Sequence, residues 1–234
     1  MSLSRFPQAI IFDFDGVLMN SEPLHFFAFK EALRLEGIDL TEEQYYRDYI
    51  GFDDRGAFHA IYADRARPLD GPTFLRVNAN KQRKMMEQIH GRKYKPLDGV
   101  EAFVRGLWRH YPLGICSGAI RDEIEAMLEG AGLRDCFRVI VAAEDVTVGK
   151  PDPQGYLLAA RLLAQQARKP IAPSDCLVVE DAPTVIRSAR AAGFRVLGVA
   201  TTCRIEALQG ADWAVASLNP RLVAQKIPDL RIAQ

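Results

Sequence analysis

The sequence predicts an α/β protein: a doubly wound, parallel sheet with one all-helical insert. Three observations support this. Short apolar runs alternate with amphipathic stretches through most of the chain. That alternation is the mark of strands covered by helices on both faces. Residues 20–94 break the alternation and contain no convincing strand. Finally, several of the apolar runs end in polar residues of similar kind.

The first run is 8–14, "QAIIFDF", short, rich in Ile and Phe, and read as a buried strand. Next come four segments read as helical: 23–38, and those around 42–49, 53–65 and 73–90. Strands resume with 111–118 ("YPLGICSG"), 138–143 ("RVIVAA"), 176–181 ("CLVVED"), 195–200 ("RVLGVA") and 213–217 ("WAVAS"). Between them, 121–132 spaces Ile124, Met127 and Leu128 along one helical face and ends at Gly132. Residues 153–167 and 183–193 each open with proline, which suits the first turn of a helix. The expected organisation is an α/β core from 1–19 and 95–234, Rossmann-like, with a helical cap domain from 20–94.

Composition narrows the function classes. Hydrophobic residues make up 48% and charged residues 26% of 234, an ordinary globular profile. Lys plus Arg equals Asp plus Glu at 30 each, so overall charge gives no pull toward nucleic acid or a membrane surface. There is no apolar stretch of membrane-spanning length, and the first residues, "MSLSRFPQAI", lack the apolar core of a secretory signal. Cys116, Cys136, Cys176 and Cys203 are widely spaced, without a CxxC pair. They read as buried thiols of a cytoplasmic protein.

The ends of the strands carry the chemistry. Asp13 and Asp15 close the first run, with Gly16 marking a turn. Ser117 and Gly118 follow the second strand, Lys150 lies in the loop after the third, and Glu180 and Asp181 end the fourth. In a doubly wound sheet, ligands bind outside the carboxyl ends of the strands, so these clusters should converge. Several carboxylates brought together repel unless a cation neutralises them or one is protonated. Oxygen ligands without His or Cys suit Mg²⁺, which favours phosphate partners. A lysine, a serine hydroxyl and backbone N–H groups at a helix start make a phosphate cradle. A carboxylate can attack phosphorus, and a second acid nearby can move the protons.

Taken singly, each cluster has a plainer reading. The aspartates can be a solvated strand end, Lys150 a surface lysine, and Ser117 and Asp181 helix caps. Taken together, "DFDGVL" (13–18), "ICSGA" (115–119), "GKPDP" (149–153) and "VVEDAP" (178–183) resemble the four motifs of the haloacid dehalogenase (HAD) superfamily, in order and across the whole chain. The resemblance is to the branch with a helical, C1-type cap that contains phosphoglycolate phosphatases and β-phosphoglucomutases.

That resemblance implies a Mg²⁺-dependent phosphatase acting on a small phosphate monoester through an aspartyl-phosphate. Asp13 would be nucleophile and metal ligand. Asp15 would be the general acid/base, with its backbone carbonyl on the metal. Asp181 would ligate the metal, with Glu180 ligating directly or through water. Ser117, Gly118 and Lys150 would bind the phosphoryl group, and the cap would act as a lid. A monomer is implied, with a weak dimer as the alternative. His25, and Lys84 in "KQRKMM" (81–86), match cap positions of β-phosphoglucomutase. The cap arginine of that enzyme has no counterpart: Asp54 stands there and Arg55 follows. His25, Arg55 and Lys84 are thus the candidate substrate contacts.

Two other functions compete. A mutase would return the phosphoryl group to a sugar instead of water. A non-catalytic domain would keep the fold to bind metabolites, but would not need both Asp13 and Asp15. Dehalogenation of a 2-haloacid needs neither Asp15 nor a metal.

Overall fold

The computed structural model describes residues 6–50 and 52–233. In chain order the elements are β1 (Ala9–Phe12), α1 (Glu22–Arg34), α2 (Glu42–Gln44), α3 (Asp54–Asp64), α4 (Gly71–His90), α5 (Val100–Trp108), β2 (Leu113–Cys116) and α6 (Arg121–Gly130). They continue with β3 (Phe137–Val141), α7 (Gln154–Ala167), β4 (Cys176–Glu180), α8 (Pro183–Ala191), β5 (Arg195–Val199), β6 (Trp213–Val215) and α9 (Pro220–Lys226). The chain divides into two compact units. One runs up to Asn20 and resumes at Lys95; the other is Ser21–Tyr94.

The first unit is built on six parallel strands in the order β3-β2-β1-β4-β5-β6. All four residues of β1 and all five of β4 are buried, which explains why these strands read as unbroken apolar runs. Ile10, Ile11 and Phe12 are fully enclosed. Each such side chain contributes roughly 1.5–3 kcal/mol of transfer free energy. Tyr156, Ala159, Ala160 and Leu163 of α7 and Val185, Ile186 and Ala189 of α8 pack into one apolar cluster with the sheet.

Strand order places β1 at the centre. Phe12 lies level with Ile115 of β2 on one side and Val179 of β4 on the other. The connection from β1 leads to one neighbour, and β4 returns on the other side, so β1 sits at the switch point where such sheets leave a crevice.

The second unit is helical among its described residues. Thr41 caps α2 with a reciprocal Thr41–Gln44 box, and Asp53 and Asp70 cap α3 and α4 through the backbone N–H groups of Gly56 and Thr73. After α2 the backbone widens into a π-helical turn over Tyr45–Tyr49. The unit has its own core, in which Phe29 packs against Phe58 with ring centroids 4.8 Å apart.

Several expected elements are shorter than the sequence suggests. The first helix stops at Arg34 and not at residue 38, because Gly37 takes φ +67° and turns the chain. β1 ends at Phe12, one residue before Asp13, and the turn that contains Asp15 and Gly16 follows. Of the four cysteines, Cys116, Cys136 and Cys176 are buried, whereas Cys203 is half-buried; all four are free thiols. No helix among the described residues is long and apolar enough to cross a membrane.

Candidate active site

The site is assembled from strand ends. The backbone N–H of Asp13 still bonds the carbonyl of Val179 at 2.9 Å, so Asp13 is held as firmly as a strand residue. The chain then turns: Gly16 has φ +76°, and its N–H reaches the carbonyl of Met19. A β-carbon on Gly16 would lie 2.4 Å from Asp181 Oδ2, so the turn must pass without a side chain. Asp15 sits inside this turn, and its Oδ2 accepts a 3.4 Å hydrogen bond from Ser117 Oγ. Ser117 also accepts the N–H of Ala119, combining a cap-like bond with contact to Asp15. A β-carbon on the following Gly118 would meet nothing within 4 Å, which leaves open space there.

Lys150 enters from the loop after β3. Its ammonium donates to Asp13 Oδ1 at 2.5 Å and to Glu180 Oε1 at 3.0 Å, and lies 4.9 Å from the centre of the Tyr156 ring. Asp181 Oδ2 accepts the hydroxyl of Thr202 at 2.5 Å, and Thr201 Oγ1 donates to the carbonyl of Gly16. Carboxylate oxygens of Asp13, Glu180 and Asp181 all lie within 4.8 Å of one another.

One lysine does not balance this many carboxylates. Burial pushes the Asp13 carboxyl well above its ordinary range; Lys150 pulls it down, and Glu180, Asp181 and Asp15 push it up further. Burial and Glu180 raise Asp181 to about 7, against the hydrogen bond from Thr202. Burial alone would lower Lys150, but Asp13 and Glu180 outweigh it and hold the ammonium well above its usual value. Surplus negative charge among oxygen donors can be relieved by a hard cation, and Asp13, Glu180 and Asp181 can hold one.

The remaining sequence candidates lie in the helical unit, each with its own partner. His25 Nδ1 is 3.1 Å from the ammonium of Lys81. The guanidinium of Arg55 lies 5.5 Å from the ring centre of Phe74. Lys84 donates to Glu87 at 2.7 Å. The buried cation of the "KQRKMM" segment is Lys81, which sequence reasoning passed over. It is 1% exposed and bonds Asp54 at 2.8 Å. A signal was present: Val77, Lys81, Met85 and Ile89 recur every fourth residue on the buried face of α4. Tyr156, Thr201 and Thr202 were also missed, the first because it reads as part of the apolar stripe of α7.

Residues 10–199 match the family described as haloacid dehalogenase-like hydrolase. The validoxylamine A 7'-phosphate phosphatase of Streptomyces hygroscopicus subsp. limoneus is 30% identical over 210 residues, covering 89% of this chain and 93% of that protein. The fructose-1-phosphate phosphatase YqaB of Escherichia coli is 30% identical over 190 residues, covering 81% and 95%. The crystal structure of CbbY from Rhodobacter sphaeroides in complex with phosphate superposes with a TM-score of 0.80 at 21% identity, covering 96% and 99%. This last likeness concerns the fold.

Proposed function

This chain belongs to the haloacid dehalogenase-like hydrolase family and is a phosphoric monoester hydrolase, and from that premise we propose that it hydrolyses a small phosphorylated carbohydrate through a phosphoryl-Asp13 intermediate, with Mg²⁺. The observation that supports this reading most is the meeting of Asp13, Asp15, Ser117, Lys150, Glu180 and Asp181 at one edge of the sheet. The fructose-1-phosphate phosphatase at 30% identity and the phosphorylated carbohydrates phosphatase of Thermotoga maritima at 28% carry names that specify phosphorylated carbohydrates, which supports that substrate class.

Each residue has one task in this reading. An oxygen of Asp13 attacks phosphorus, and the ester oxygen leaves with a proton from Asp15. Asp15, now a carboxylate, takes a proton from water, and that water attacks the phosphoryl-Asp13 to release phosphate and restore Asp13. Lys150 and the Ser117 hydroxyl bind phosphoryl oxygens, and the open space at Gly118 leaves room for them. Asp13 and Asp181, with Glu180 close by, would hold Mg²⁺, which when bound supplies positive charge beside the phosphoryl oxygens.

The test is product formation from a panel: hexose 1- and 6-phosphates, phosphoglycolate, nucleotides, and β-glucose 1-phosphate with a bisphosphate primer. Free phosphate and isomerised sugar are both assayed. The reading expects phosphate release that requires Mg²⁺, is lost in Asp13→Asn, and is fastest on a sugar phosphate. Isomerised sugar with little free phosphate would overturn it in favour of a mutase. Absence of turnover on the whole panel would favour a binding domain.

A further inference from the structure

A groove outside the strand-end site runs between α5 and α9. Its volume is about 600 Å³, and none of the strand-end candidates lines it. Cavities of roughly 300–1,000 Å³ suit small organic molecules. Ala102, Pro220, Ala224 and Ile232 supply an apolar floor. The charged lining residues are Arg105, Arg109 and Arg221, with no acid among them.

The wall beside Ile232 is pinned to α5. Ala233 donates its backbone N–H to the carbonyl of Gly106 at 2.9 Å, and Arg231 donates its own to the Tyr111 hydroxyl at 2.9 Å. A β-carbon on Gly106 would lie 2.6 Å from Ile232 Cγ2, so this segment seats where α5 carries no side chain.

The three arginines differ. Arg105 is engaged: Nε donates to Glu101 at 3.1 Å, and Nη2 to the carbonyl of Gly132 at 2.9 Å. The guanidinium groups of Arg109 and Arg221 have no hydrogen bond or ion pair among the described residues. Arg109 directly follows α5, where a cation suits the helix dipole. Arg221 stands in the first turn of α9, where a cation opposes the dipole, and no acid shares that turn. Helix stability gives Arg221 no reason to be there.

The two unpaired arginines mark opposite ends of the groove. A β-carbon on Gly99 would lie 3.0 Å from the backbone nitrogen of Asn219, so α5 and α9 start level. α5 leads into the start of β2, and α9 leaves the end of β6, in a sheet whose strands are all parallel; both helices therefore run the same way. Arg221 thus stands level with Glu101, and Arg109 lies about eight residues, or roughly 12 Å, further along.

We propose that this groove binds an elongated organic dianion with an apolar middle and a carboxylate or phosphate at each end, one paired with Arg221 and the other with Arg109. The floor takes the body of the ligand, and each guanidinium offers a planar fork to two oxygens. The site is separate from the strand-end cluster and does not rest on the phosphatase reading.

The probe is stilbene dicarboxylate, a rod with a carboxylate at each end, titrated into the full chain by calorimetry. Stilbene monocarboxylate is the control. An exposed charge pair is worth up to about fivefold in affinity. Arg109→Gln and Arg221→Gln should each weaken the dicarboxylate by about fivefold, and together by about 25-fold, since distant sites add. The monocarboxylate can use either end and should lose no more than about twofold in each single variant. Ala224→Leu fills the floor and should weaken both probes by about tenfold. Stilbene diphosphonate, which cannot be hydrolysed, is titrated alongside; the tighter of the two dianions names the head group.

Dicarboxylate affinity unchanged in the double arginine variant would place the probe elsewhere and overturn the proposal. Equal losses of the two probes in the single variants would also overturn it, because only one end would then be in use. So would a parent protein that binds neither dianion. If Ala224→Leu fails to fold, the arginine variants, both at exposed positions, carry the test.

Discussion

Each of the two compact units buries a lysine against carboxylate, and the surroundings of the two differ in charge. Lys150 meets two carboxylates directly, and Asp181 and Asp15 add to the negative charge on Asp13. Lys81 meets one carboxylate, Asp54, one imidazole nitrogen of His25, and the face of Phe29 at 5.3 Å. The first group is over-supplied with negative charge; in the second, one cation faces one anion. A balanced buried pair is a strut between helices. An unbalanced one holds charge that a ligand must complete, and such sites cost stability in order to work.

The largest expected effect tests the unbalanced side. Asp13→Asn should lower phosphate release by on the order of 10³-fold or more. The same change should leave the melting temperature unchanged or raised, since burial and three neighbouring acids together disfavour the charge on Asp13 more than Lys150 favours it. A clear drop in melting temperature would show that the Asp13–Lys150 pair is a strut after all.

On the balanced side the outcome reverses. Asp54→Ala leaves Lys81 buried without its carboxylate and should destabilise the protein by about 3 kcal/mol in urea denaturation. Lys81→Met should cost far less. The Asp54 side chain is 35% exposed and can rehydrate, and methionine suits a stripe that already contains Val77, Met85 and Ile89. Equal costs for the two variants would remove the asymmetry.

Gly16→Ala sharpens the same contrast through the backbone. Positive φ at Gly16 and the contact with Asp181 should cost about 1–3 kcal/mol and displace Asp181, so activity and Mg²⁺ affinity fall together. A similar change at Gly37, also at positive φ but with nothing within 4 Å, should affect stability alone.

The smallest effect concerns thiols. Burial pushes Cys116 and Cys176 up to about 12, so both remain protonated at pH 8, where the thiolate needed for attack is scarce. Cys203, half-buried, should therefore react first with a disulfide reagent. The other three should respond only as the protein unfolds, read as thiols released against denaturant.

The contrast between the two lysines also marks what could be read from the chain. The acidic and basic residues at the sheet edge were legible because strands made of unbroken apolar residues can be placed to within about two residues of their ends, and ligands gather at their carboxyl ends. What could not be read was strand order. Nothing in "IIFDF" shows that β1 lies between β2 and β4. Thr201 and Thr202 were invisible for a related reason: hydroxyls after a strand are common, and only the packed sheet brings Thr202 to Asp181. In the helical unit a lysine reads as surface, and the fourfold spacing around Lys81 had to outweigh that habit. Tyr156 was assigned to the core, where it belongs, but its hydroxyl also reaches Glu180 Oε1 at 3.2 Å.

The central place of β1 has a consequence for the order of events at the ribosome. Asp13 is made before its partner Lys150, which lies 137 residues later, and Ser117 lies 102 residues beyond Asp15. The bonds of Lys81 span 27 and 56 residues, all within one uninterrupted stretch. Local contacts form sooner than distant ones, so the helical stretch is able to organise while the first strand still waits for both neighbours. Catalytic competence is thus a late property of the nascent chain, reached only after β4 has emerged. Turnover, measured during synthesis, would act as a clock for completion of the sheet.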